Sequence, residues 1–149
     1  MEAEFQPANQ ETVDTFNSFL RGELSAVETY RQAITKMDGN PIPELDEIRQ
    51  CHQRRIEDLR SVIVSLGGKP DETSGLWGAL TELIEGGAAL LGRSTALAAL
   101  EQGEDLGLSQ YQEDVTKLSG PARVFIETRI IPHQRGTHDR MSRIISAEQ

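Results

Sequence analysis

The chain has 149 residues, 37% of them apolar and few of them aromatic, which is enough for one domain with its own core. A formal charge of −9 argues against nucleic acid or an anionic membrane surface as a partner, because both call for a basic face. The single cysteine, Cys51, has no partner for an internal disulfide, which fits a reducing compartment.

The N-terminal MEAEFQPANQ is acidic and lacks an apolar run, so no signal peptide is expected there, and a soluble cytoplasmic protein is the resulting expectation. No uncharged apolar stretch reaches spanning length. From about residue 10 to 37, Val13, Phe16, Leu20, Glu23, Val27, Tyr30, Ile34 and Met37 step by three or four, the spacing of one helix face. Asp38-Gly39-Asn40-Pro41 stops that helix. A second helix, 42–66, carries Leu45, Ile48, His52, Ile56, Leu59, Ile63 and Leu66 and ends at Gly67-Gly68-Lys69-Pro70. The segment that follows is too long for a plain loop in a compact domain, and SGLWGALTELIEGGAALLG within it predicts a crossover helix over about 75–91. Its apolar residues, among them Leu76, Trp77, Leu80 and Leu91, predict either a cover for the bundle or a homodimer contact, and a homodimer is the favoured expectation.

A third helix, 94–118, runs through Leu97, Glu101, Glu104, Leu108, Tyr111, Val115 and Leu118. The fourth, 121–147, runs through Val124, Ile131, His138, Met141 and Ile145, with a kink expected at Pro132. Short turns within each pair predict two antiparallel hairpins. The expected fold is all-α: one four-helix bundle spanning residues 1–149, with a long crossover between its second and third helices.

The two hairpins repeat one another. RGELSAVETY (21–30) and QGEDLGLSQY (102–111) each hold Gly-Glu, six residues, then Tyr. Arg49-x-x-His52-x-Arg54 has its counterpart in Arg135-x-x-His138-x-Arg140. Two matches in the same order predict an internal duplication about a pseudo-twofold axis. Glu23, His52, Glu104 and His138 would then face that axis, where an unanswered carboxylate costs several kcal/mol, roughly.

RGELSAVETYRQA, ALEQGEDLGLSQY and THDRMSRI, with the LGGKP and SGLWG crossover, carry a resemblance to the ferritin-like superfamily over nearly the whole chain. The chain most closely resembles the small bacterial ferritin-like four-helix-bundle proteins of uncharacterised function. That resemblance implies two irons or manganeses held by one Glu on each of two helices and a Glu-x-x-His on each of the others. Transferred by position, Glu23 and Glu104 match the single glutamates, and His52 and His138 match the histidines. Both Glu-x-x-His glutamates are arginines here, Arg49 and Arg135.

Two readings compete. In one, Glu23, His52, Glu104 and His138 bind iron, manganese or zinc, with Glu101 replacing a missing carboxylate and Tyr30 and Tyr111 hydrogen-bonding the ligands. If iron binds, the resemblance implies iron handling or a response to oxidative stress. In the other, Arg49 and Arg135 reach inward and neutralise Glu23 and Glu104, leaving a metal-free structural or interaction bundle. Arg54-Arg55, interleaved with Glu57 and Asp58, reads as a solvated face. Cys51 and His52 are adjacent, so they point about 100° apart on a helix and make no catalytic pair. No catalytic residue and no small-molecule substrate is identifiable.

Overall fold

The computed structural model describes residues 7–37, 39–74 and 92–149. All regular structure among them is helical, in an arrangement consistent with a four-helix bundle. Helix α1 is Pro7–Ile34 and α2 is Pro43–Ser65. Helix α3, Arg93–Asp114, tightens into a 3₁₀ turn at Val115–Lys117. The fourth helix is made of α4 (Gly120–Phe125), a π-helical segment at Ile126–Ile130, and α5 (Ile131–Glu148). The crossover helix expected over 75–91, and the dimer contact built on it, lie outside the described residues.

The end of α2 shows how locally the sequence sets the punctuation. Gly67 takes φ +80°, a conformation open to glycine at little steric cost. The Gly68 amide then donates to the Ile63 carbonyl (2.9 Å) and the Gly67 amide to that of Val64 (3.0 Å), the pairing of a Schellman stop. Gly68 also lets the turn press onto α1, since a Cβ there would sit 2.6 Å from Val13 Cγ1.

Cross-helix contacts give the directions. Asn17 near the start of α1 donates to the Lys69 carbonyl (3.0 Å) and accepts from the Asp71 amide (2.8 Å), both just past the end of α2. Arg93 at the start of α3 reaches the carbonyls of Met37 and Asn40 after α1, and its guanidinium pairs with Glu148 at the end of α5 (2.7 Å). Gln110 late in α3 reaches Ser18 early in α1. Helices α2 and α3 therefore run opposite to α1, and α5 runs with α1.

The core has two apolar clusters. One packs Val13, Phe16, Leu20, Leu59, Ile63 and Ile126 at the end where α1 begins. The other packs Met37, Leu45, Ile48, Leu97, Met141 and Ile144 at the opposite end. Between them lies a polar layer of Glu23, His52, Arg55, Glu104, Gln134 and Thr137, all buried. No helix among the described residues is long and apolar enough to cross a membrane.

Candidate functional site

Each helix of the bundle supplies part of this layer. Glu23 continues the inward stripe of α1 between Leu20 and Val27, and Glu104 follows Leu97 and Leu100 on α3. His52 and Arg55, three residues apart on α2, fill the inward turn between Ile48 and Leu59. Gln134 and Thr137 hold the same i, i+3 relation on α5, between Ile130 and Met141.

His52 is the hub. Its Nδ1 lies 2.5 Å from Glu23 Oε1, and its Nε2 lies 2.7 Å from Glu104 Oε2. Two ionised carboxylates at these distances favour a proton on each ring nitrogen, while Arg55 Nη1, 2.9 Å from the same Nδ1, opposes it. The two acids together favour the imidazolium. Burial alone would lower the His52 pKa, and Arg55 works in the same direction, yet Glu104 and Glu23 together raise it. Burial likewise pushes the Glu23 carboxyl up, but the charges of His52 and Arg55 and hydrogen bonds from His52 and Tyr111 hold it at about 2. Glu104 is lowered in the same way, burial being outweighed by His52, Tyr30 and Arg55.

The tyrosines cross between the halves. Tyr30 on α1 donates to Glu104 Oε2 (2.6 Å), and Tyr111 on α3 donates to Glu23 Oε2 (2.5 Å). Burial and then the neighbouring carboxylate raise both phenols well above their ordinary value, so they act as fixed donors.

Arg55 is the second cation, with 1% of its surface exposed. Nη1 lies 3.5 Å from Glu23 Oε2 and donates to Gln134 Oε1 at 2.6 Å. Nη2 donates to the His133 carbonyl (2.9 Å) and to Thr137 Oγ1 (2.8 Å). Gln134 Nε2 donates to Glu104 Oε1 (3.1 Å), and Thr137 Oγ1 lies 2.8 Å from the same oxygen. Two buried acids are thus answered by two buried cations, and the layer is neutral as a whole.

Glu23, His52 and Glu104 meet, as the stripes predict. His138 does not join them. It is part-exposed on α5, with Nε2 2.6 Å from Asp105 and Nδ1 3.4 Å from Asp139. Burial would lower its pKa, but hydrogen bonds to these two aspartates raise it. Glu101 also stays out, lying 3.4 Å from Ser142 at the bundle side while Leu100 takes the inward place. Arg49 turns to Asp46 on its own helix (2.7 Å), and Arg135 is exposed, so neither neutralises the buried glutamates. That role falls to Arg55, half of the pair expected to be solvated.

The one-residue slip on the fourth helix has a physical reason. The inward positions step 126, 130, 134, 137, 141 and 144, with Gln134 and Thr137 where an apolar scan jumps from Ile131 to His138. The π-helical segment lies just before Pro132, which has no amide hydrogen to donate, and its wider turn changes the helical phase of the face that follows.

The donor set fits a two-metal centre poorly. The two carboxylates sit on opposite edges of one imidazole, not around a shared point, and a guanidinium stands beside them. The carboxylates that a second ion would bridge are absent at Arg49 and Arg135. Among the described residues no group of three or more His, Cys, Asp or Glu side chains is disposed to hold a metal ion.

Fold and site together define an all-α bundle protein with a buried, charge-balanced Glu–His–Arg–Glu layer. Residues 11–117 match the family described as Domain of unknown function (DUF2383), and the chain belongs to that family. The match takes in Glu23, His52, Arg55 and Glu104, whereas Gln134 and Thr137 lie beyond it. No curated protein and no solved structure matches the chain.

Proposed function

We propose that this chain is a ferritin-like bundle whose mid-bundle acids are neutralised from within, and that it serves as a structural or interaction scaffold, not as a metal-dependent oxidase. The helix directions support the ferritin-like arrangement, because a link from the end of α2 to the start of α3 has to travel the length of the bundle. The reciprocal Tyr30–Glu104 and Tyr111–Glu23 bonds support descent from a duplicated hairpin. One observation carries the functional reading: the Arg55 guanidinium is buried among Glu23, His52, Gln134 and Thr137. A fixed cation there supplies the charge compensation that a divalent ion supplies in metal-bearing relatives of the fold, and repels such an ion.

The test is elemental analysis of the full chain purified without added metal or chelator, repeated after dialysis against iron(II), manganese(II) and zinc(II). The expected result is well below one equivalent of each. About one equivalent or more, lost in both Glu23→Ala and Glu104→Ala, would overturn the proposal in favour of a metal site on Glu23, His52 and Glu104.

A further inference from the structure

The sides of the bundle are not closed alike. Between α1 and α3, Phe19 and Tyr111 pack with ring centroids 4.6 Å apart, and Tyr30 and Tyr111 bond across to the opposite glutamates. Where α2 meets the fourth helix, only the two ends are apolar. Ile56 and Leu59 share one cluster with Ile126 and Ile130, and Leu45 and Ile48 share the other with Met141 and Ile144. In the middle, His52 and Arg55 face Gln134 and Thr137, with no apolar pair among them. A groove of about 340 Å³ parts the helices at this level, lined by Asp58, Pro132, His133 and Gly136 among others.

Polar ties hold this stretch together. Toward one end Arg129 pairs with Asp58 at 3.1 Å, and toward the other Arg140 pairs with Glu44 and Glu47 at 2.7 Å each. These pairs are partly open to water, where such ties are weak. Between them Arg55 reaches the His133 carbonyl, Gln134 and Thr137. Its Nε is enclosed without a hydrogen-bond partner, a cost borne by the closed arrangement and relieved once water enters. The fourth helix is also weakest here. It leaves a π-helical segment at Ile130, Pro132 has no amide hydrogen to donate, and Gly136 is a poor helix former in mid-helix.

We propose that the fourth helix unwinds locally over residues 132–140 in the native state and lifts from α2, opening the buried layer to water through the groove. The apolar clusters at both ends keep the rest of the bundle closed, and the Arg129 and Arg140 pairs act as the latches. The opening requires no metal and no ligand, so the elemental analysis above bears on neither its success nor its failure.

Native-state hydrogen exchange of the full chain, resolved to single amides, tests this. Amides of residues 136–140 should exchange about 100-fold faster than those of residues 19–27 in α1, through an opening that added urea barely accelerates. Arg129→Gln combined with Arg140→Gln, both at positions open to water, should speed exchange at 136–140 about 10-fold. Arg21→Gln removes a pair with Asp71 beside α1 and should leave those amides unchanged. Gly136→Ala, whose Cβ would meet open space, should slow them about 3-fold. Exchange at 136–140 that matches α1 in rate and urea dependence would overturn the proposal. So would rates at 136–140 that are indifferent to the double variant or to Gly136→Ala.

Discussion

Replacing Arg55 with methionine keeps an unbranched chain of similar reach along the bundle axis and removes one of the two buried cations. Gln134 Oε1, the His133 carbonyl and Thr137 Oγ1 each lose a charged donor at 2.6–2.9 Å, and Glu23 loses a positive neighbour at 3.5 Å. Removing one partner of a buried ion pair costs on the order of 3–5 kcal/mol. Part of this is returned, because Arg55 Nη1 stands 2.9 Å from His52 Nδ1 and the two cations repel. The expected loss is therefore near the lower end, about 3 kcal/mol at pH 7. In urea that corresponds to a midpoint shift of about 1.5 M for a chain of this size. Acid should narrow the gap. Arg55 is one of the charges that hold Glu23 at about 2, so in the variant the Glu23 carboxyl takes up a proton at a higher pH and sheds its uncompensated charge sooner. Adding Glu23→Gln should restore part of the loss, with a coupling of at least about 1 kcal/mol in the double-mutant cycle. An Arg55→Met protein within about 0.5 kcal/mol of the parent at pH 7, or a gap that widens on acidification, would refute the charge-balanced layer.

The layer also predicts the pH profile of stability. Glu23 is depressed from 4.5 to about 2, so its contribution, on the order of 3 kcal/mol, is present above 4.5 and lost as pH falls toward 2; Glu104 works in the same direction. His52 is raised above 6.5, so its contribution is complete below 6.5 and lost as pH rises through its folded value; urea midpoints across pH should peak between about 4.5 and 6.5. Nitrogen-15 spectra at pH 6 should show both His52 ring nitrogens protonated, and a single neutral tautomer would contradict the hub geometry. Tyr30→Phe and Tyr111→Phe should each cost about 1–3 kcal/mol in chemical denaturation, since each strips a donor from a buried carboxylate. His138→Ala should cost less than about 1 kcal/mol and His52→Ala several times more; the reverse order would overturn their placement.

Much of this was legible in the sequence because the stripes of α1 and α2 are strong. Glu23 and His52 interrupt runs of buried apolar residues at helical spacing, and helix ends at Gly39 and Gly67 are marked by glycine followed by proline. The short repeat of Gly-Glu with Tyr pointed to Glu104 and Tyr111, and both are buried beside Glu23 and Tyr30. What failed was the step from apolar pattern to inward direction on positions that are themselves polar. Arg55 lies three residues after His52 and four before Leu59, squarely on the stripe, but a charged residue beside Glu57 and Asp58 reads as solvated unless its acceptors are known. Gln134 and Thr137 are hidden for the same reason, being polar at inward positions, and the apolar spacing points to His138, one position off. The arginines that were expected to turn inward, Arg49 and Arg135, share a repeat with the histidines but not their face.

The asymmetry of the two halves explains why the layer is built this way. A symmetric duplication would place two glutamates and two histidines about the axis, which needs a metal or protons from outside to balance. Here one hairpin brings both cations, His52 and Arg55, and the other brings neutral partners, Gln134 and Thr137, to the same layer. The acids remain symmetric, and each is still served by the tyrosine of the opposite half. Charge balance within the layer comes from the chain's own side chains, where it is present from the moment the helices pack. The arrangement also fixes register. Sliding α1, α2 or α3 by one residue would pull a charged side chain away from its partners at the cost of a buried unpaired charge, whereas an all-apolar seam would tolerate the slip far better. A polar layer placed between two oily ends gives the bundle one alignment in which all four helices agree.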